Sequence, residues 1–177
     1  GPQGVTGPQG NTGPQGRNGS TIIPNTWIKN SAILSTYNLH TIATSSDGKY
    51  VLIGIYIPSG AGQLYISSDF GTSFTMVPNS GGNWYTVAMS SSGQYMVGAI
   101  YGTNISISSD YGETWSPATN ISNTISWTGL AMSSNGQIIA AAGYENNIYI
   151  STNYGVNWNE YNGNTDNQQW QSLAMTS

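Results

Sequence analysis

An all-β fold made of repeated four-stranded units is what this sequence predicts, and three observations carry the prediction. The stretch Ile107-Ser108-Ser109-Asp110-Tyr111-Gly112-Glu113-Thr114-Trp115 recurs in altered form at Ile66–Phe74 and at Ile150–Trp158. Its central residues Asp69, Asp110 and Asn153 stand 41 and 43 positions apart, and a period of roughly 40–45 residues is the length of one β-propeller blade. A second signal runs in phase with the first: Trp84–Ser91, Trp127–Ser134 and Trp170–Ser177, with a weaker copy at Leu39–Ser46. Composition agrees. Only 6% of residues are charged, against six Trp, twelve Tyr and 23 Gly, a balance that favours short strands and tight turns over helices or disorder.

Taken in order, residues 1–20 carry glycine at every third position from Gly1 to Gly19, with Pro2, Pro8 and Pro14 opening alternate triplets. Only glycine fits the axis where three polyproline-type chains meet, so the period predicts a collagen triple helix and a homotrimer of this chain. The segment resembles the collagen-like stalks of bacterial, phage and giant-virus surface proteins. Six triplets are too few for a stable triple helix alone, so further repeats are expected upstream. Residues 21–38 read as a linker with one lone outer strand, because Trp27 matches Phe74, Trp115 and Trp158.

Blades are expected at 39–78, 84–119 and 127–162, with a partial fourth from 170. Each reads as strand A, a glycine turn at Gly48, Gly93 or Gly136, strand B, a loop, strand C, the Asp or Asn turn, and strand D. Alternation at Leu64/Ile66, Ile105/Ile107 and Ile148/Ile150 marks the C strands as buried on one face. Propellers close with four to eight blades. Three blades and two loose strands therefore predict a piece of a ring of six to eight blades, cut inside its fourth, with closure between chains as the alternative.

The pattern Ser-x-Asp-x-Gly-x-Thr-Trp resembles the Asp-box, the bacterial neuraminidase repeat found in sialidases, sortilin-type receptors, a photosystem assembly factor and many secreted propellers. The resemblance implies a structural turn between strands C and D, built from Asp69, Gly71 and Phe74, from Asp110, Gly112 and Trp115, and from Asn153, Gly155 and Trp158. The residue types suit that role. Asp or Asn accepts backbone N–H groups of its own turn, glycine permits positive φ, and the aromatic ring fills the gap between blades. A turn former tolerates the change to Asn153, and a catalytic carboxylate does not.

The same resemblance implies, for a sialidase, three arginines around a substrate carboxylate, a Tyr/Glu pair and an Asp acid. This chain has one arginine, Arg17, inside the triplet region, and Lys29 and Lys49 are poor bidentate substitutes. The expectation is therefore a non-enzyme. Other glycosidases need two carboxylates across a cleft; Asp47, Asp69, Asp110 and Glu113 fall on turns at one end of the blades. Glu145 and Asp166 are one pair at the other end, and two solvated loop carboxylates is the plainer reading. His40, the only histidine, reads as a surface residue. There is no cysteine and no cluster of metal ligands, so neither metal nor cofactor is expected. A net charge of −4 with three basic residues speaks against nucleic acid, and no apolar run is long enough for membrane insertion.

A ligand would meet the end formed by the D–A and B–C loops. Trp84, Trp127 and Trp170 open successive A strands there, and Tyr56, Tyr101 and Tyr144 end B strands, with Asn104, Asn146 and Asn147 nearby. Aromatic rings with amides are equipment for stacking sugar rings and bonding their hydroxyls. The competing reading is that these rings repeat because blade packing repeats. The expected function is a surface fibre or attachment protein, extracellular or on a virion or cell surface, with a cell-surface glycan as partner of the head. Two alternatives stay open: a purely structural fibre or coat component, and a glycoside hydrolase whose catalytic blades lie elsewhere.

Overall fold

A computed structural model describes residues 38–59, 62–161 and 169–176. The collagen-like triplets, the lone strand around Trp27 and Asp166 lie outside the described residues. Twelve strands form three four-stranded antiparallel sheets, each a simple meander, and no helix occurs among the described residues. The first blade holds β1 (Asn38–Thr44), β2 (Val51–Tyr56), β3 (Leu64–Ser67) and β4 (Thr75–Met76). The second holds β5 (Trp84–Met89), β6 (Met96–Ile100), β7 (Ile105–Ser108) and β8 (Ser116–Pro117). The third holds β9 (Trp127–Met132), β10 (Ile139–Gly143), β11 (Ile148–Ser151) and β12 (Asn159–Tyr161).

The strands β1, β5 and β9 lie next to one another along the inside of the arc. Residues 170–176 continue that row without joining a sheet. The Thr128 hydroxyl donates to the Trp170 carbonyl at 2.6 Å, and Leu173 packs so tightly on Gly129 that a Cβ there would stand 3.1 Å from its backbone nitrogen.

The B strands read as unbroken apolar runs because each is covered on both faces. Residues 51–55 of β2 are all buried, as are residues 96–99 of β6. Leu52 turns toward the second blade, into a cluster with Leu64, Val77, Trp84, Val87 and Met96. Its neighbours Val51, Ile53 and Ile55 turn the other way and collect Ile57, Tyr65 and Phe74. Between the second and third blades, Val97, Ala99 and Ile105 meet Ile125, Trp127, Leu130, Ile139, Ala141 and Trp158. Truncating a ring as buried as Trp127 costs about 3–5 kcal/mol, so these two interblade layers dominate the stability. On the first blade, Leu39 (56% exposed) and Ile42 (63% exposed) occupy the places where Trp84 and Val87 are buried in the second.

A belt at the A–B turn end ties the blades together. Ser46 N–H donates to the Ser91 carbonyl at 2.9 Å, and Ser91 N–H to the Ser134 carbonyl at 2.8 Å. The Tyr50 ring stacks on Tyr111 of the next blade with centroids 5.0 Å apart, and Tyr95 meets Tyr154 at 4.7 Å. Gly93 packs against the same Tyr50 side chain, and an added Cβ would lie 2.6 Å from a ring carbon. Gly93 also has φ +79, so it answers both a backbone and a space requirement.

Gly48 separates the two requirements, having φ +74 and nothing within 4 Å of the point where a Cβ would stand. Gly48→Ala is expected to cost about 1–2 kcal/mol for the left-handed backbone alone, and Gly93→Ala a further ~1–3 kcal/mol for overpacking against Tyr50. Chemical denaturation of the two variants measures the difference; equal losses would show that the Tyr50 seat is not tight.

Candidate functional site

The two ends of the blades differ in chemistry. At the C–D turns the carboxylates of Asp69 and Asp110 are consumed by their own turns. Asp110 accepts the Ser108 hydroxyl at 2.8 Å and the Thr114 N–H at 2.9 Å on one oxygen, and the Thr114 hydroxyl on the other. Asp69 does the same with Ser67 (2.7 Å), Ser73 N–H (2.9 Å) and the Ser73 hydroxyl (2.6 Å). Asn153 accepts the Ser151 hydroxyl at 3.1 Å and the Asn157 N–H at 2.9 Å through its single oxygen. Asn157 has no hydroxyl to offer, so the third turn needs no second acceptor and an amide suffices. The residues that follow, Phe70, Tyr111 and Tyr154, all adopt φ near +61, and glycine at positive φ comes next. Trp115 and Trp158 close the turn by donating from the indole to the carbonyls of Gly112 (3.1 Å) and Gly155 (2.9 Å) and pack between blades. Phe74 instead packs on the β2 face of its own blade.

This bonding sets the protonation. The Ser73 hydroxyl, then the Ser73 N–H and Ser67 hydroxyl, hold the Asp69 carboxyl down to about 2. Partial desolvation pushes Asp110 up, but the Thr114 and Ser108 bonds outweigh it and the net shift is downward. Asp47, bonded first by the Ser45 hydroxyl, is also lowered. A general acid needs the opposite shift, upward toward the working pH. These carboxylates are turn formers.

Two grooves open between the first and second blades, about 380 and 500 Å³ in volume. Glu113 lines both, and it is the only carboxylate in either. Glu145 sits exposed at the β10–β11 turn, whereas its sequence partner Asp166 lies outside the described residues. Among the described residues no three His, Asp or Glu side chains gather as a metal site.

At the opposite end, the D–A and B–C loops, the aromatic residues separate into two sets. Trp84 and Trp127, expected at the rim as stacking surfaces, are 3% and 0% exposed. Their indoles donate to the carbonyls of Ser80 (2.7 Å) and Thr103 (3.3 Å), and Trp84 sits edge-on to Trp115. They are core residues, which takes them out of any sugar-stacking surface. Trp170 is half-buried, with its carbonyl held by Thr128. Tyr144 is 38% exposed and its backbone bridges to Gln169. It makes no ring contact with the other rim tyrosines among the described residues.

Tyr56 and Tyr101 do come together, through two residues that sequence reasoning leaves aside. His40 meets Tyr85 at a tilt with ring centroids 4.3 Å apart, Tyr56 lies 5.6 Å from His40, and Tyr101 lies 5.4 Å from Tyr85. His40 Nδ1 is 2.9 Å from the Tyr85 carbonyl. A carbonyl only accepts, so Nδ1 donates and neutral His40 keeps its proton there, leaving Nε2 as an acceptor. Asn83 anchors the two strand ends: its carbonyl accepts Tyr101 N–H and its side-chain oxygen accepts Ile57 N–H, both at 3.0 Å.

The backbone explains the sorting. Each innermost strand carries a register shift at its start, leaving His40, Tyr85 and Thr128 as the extra residues. Such a bulge flips the side-chain alternation by one place. Trp84 thereby joins Val87 and Met89 on one face, and the bulged residue is turned away from the interblade layer.

No protein-family model and no curated protein sequence matches the chain. Solved structures do resemble it. The GH74 enzyme of Niastella koreensis matches with a TM-score of 0.57 at 20% identity, over 76% of this chain and 18% of that one. The β-propeller domain of Cps50 (Swd1) from Myceliophteria thermophila matches with a TM-score of 0.57 at 17% identity, over 78% and 44%. YCF48 bound to D1 peptide matches with a TM-score of 0.53 at 14% identity, over 79% and 43%. The chain thus spans less than half of each of these proteins, and the likeness establishes a propeller fold.

The turn carboxylates give a pH prediction. Asp69 and Asp110 have folded values below the ordinary 3.8, so their stabilisation is complete above 3.8 and is lost as pH falls toward about 2. Melting curves across that window are expected to show falling stability, with a smaller fall in an Asp69→Asn/Asp110→Asn variant because amides do not titrate. An unchanged acid loss in the variant would contradict the assignment.

Proposed function

We propose that this protein is a non-enzymatic attachment component, a propeller head on a trimeric collagen-like stalk at a virion or cell exterior, with carbohydrate as the partner of the head. The observation that carries this reading is the unequal division of chemistry between the two ends of the blades. Asp47, Asp69 and Asp110 are tied into turns at one end. At the other end the rings of His40, Tyr56, Tyr85 and Tyr101 gather on the first two blades, and the carboxylates described there, Glu145 and Glu160, stand on the third. A glycosidase needs a pair of carboxylates facing a shared cleft, and among the described residues the two grooves between the first and second blades share the single carboxylate of Glu113. The Gly-x-y triplets of residues 1–20 support assembly in threes. The kinship in shape with GH74 enzymes concerns the blade and supplies no reacting group.

A second reading has its own support. Leu39, Ile42 and Phe70 are exposed apolar side chains of the first blade, which suits lateral packing of heads in a coat. Exposed apolar patches mark contact surfaces.

Printed arrays of cell-surface glycans decide between them. The attachment reading expects retention of the full chain on at least one glycan class, with no release of reducing sugar from the bound polysaccharide. Retention on none would leave lateral packing, and turnover would restore an enzyme.

A further inference from the structure

We propose that His40, Tyr56, Tyr85 and Tyr101 form one binding platform for an uncharged oligosaccharide, spanning the loop ends of the first two blades. The proposal rests on the attachment reading and narrows it to one place and one ligand class.

Three independent features converge on these four side chains. The fold does not require aromatic residues at the bulged position, because the third blade fills it with Thr128, buried and bonded to the Trp170 carbonyl. Blades one and two place His40 and Tyr85 there, on a bulge that turns the side chain out of the interblade layer. Bulges are used in this way to re-aim side chains beside functional sites. The polar groups are also free. The hydroxyls of Tyr56, Tyr85 and Tyr101 and Nε2 of His40 have no hydrogen-bond partner among the described residues, while Asn83 and the Tyr85 carbonyl hold the cluster in position.

Geometry and charge select the ligand class. Centroids 4.3–5.6 Å apart along His40, Tyr85, Tyr101 and Tyr56 mean that the rings touch one another and leave no slot between them. A proline-rich peptide needs such slots. What remains accessible is a stepped surface, with Tyr101 46% exposed at its end. A stepped aromatic surface accepts the flat apolar faces of pyranose rings, and phenol hydroxyls with one imidazole acceptor match the ring hydroxyls. Of the described charged side chains, Asp47, Lys49, Asp69, Asp110 and Glu113 belong to the A–B and C–D turns at the far end, and Glu145 and Glu160 belong to the third blade, outside the platform. Among the described residues no lysine or arginine stands at this end to bind a sialylated or sulphated sugar, which selects a neutral ligand.

The test uses the full chain on an array carrying neutral gluco-, galacto- and manno-oligosaccharides beside sialylated and sulphated ones, with calorimetry on the best neutral hit. Tyr85→Ala and Tyr101→Ala should each weaken binding roughly tenfold, about 1.4 kcal/mol per lost stacking ring. Tyr85→Phe should retain most of it, and Tyr161→Ala, on an outer strand, should change nothing. Melting temperatures near that of the parent chain keep a binding loss from being read as unfolding. Neutral-glycan binding unaffected by Tyr85→Ala and Tyr101→Ala would overturn this platform and leave attachment standing. Binding only to sialylated or sulphated glycans would overturn the ligand class, and binding to no glycan would remove both the platform and the attachment reading.

Discussion

The contact on which the rest of the structure depends is the stacking of Tyr50 on Tyr111 and of Tyr95 on Tyr154, each joining one blade to the next. A four-stranded sheet this short has too little core of its own, so stability comes from the layers between sheets. The tyrosine stack fixes how two blades approach at the turn end, and Gly93 and Gly136 pack closely against Tyr50 and Tyr95. Once that distance is set, Leu52 and Trp84, or Ile105 and Trp127, are brought into one packed layer. The left-handed backbone of Tyr111 and Tyr154 costs about 1–2 kcal/mol each, and the stack is one term that offsets it.

The turn that presents Tyr111 explains why its carboxylate is unavailable for chemistry. Asp110 holds the loop by taking hydrogen bonds on both oxygens, and that bonding lowers its proton affinity. The proposed binding site lies at the opposite end, where bulges at His40 and Tyr85 turn two rings out of the interblade layer. One end of the blade is committed to the fold, and the other is left free to vary. Thr128 at the third bulge is an instance of that variation, serving the contact with residues 170–176.

Much of this is legible in the sequence because the turn residues are chosen by local backbone chemistry. The blade period follows from Asp69, Asp110 and Asn153, and even the change to Asn is explained by a residue four positions on, where Ser73 and Thr114 give way to Asn157. The orientation of the aromatic residues is not legible. Position at a strand start places Trp84 and Trp127 near the rim, but only the inserted bulge residue decides which face they occupy. Counting by twos puts Trp84 and Val87 on opposite faces; the structure puts them together. The one available signal is the residue after each of these positions, which changes from His40 to Tyr85 to Thr128 while its neighbours repeat. Tyr56 and Tyr101 end their B strands in sequence and structure alike, and only that register shows which rings stand beside them.

A double-mutant cycle on Tyr50 and Tyr111 tests the central claim most directly. Stability would be measured for the parent chain, Tyr50→Ala, Tyr111→Ala and the pair. If the stack couples the blades, the two losses are non-additive, with an interaction of about 0.5–1.5 kcal/mol. Simple additivity would mean that the rings lie together without holding the blades together, and would contradict the account.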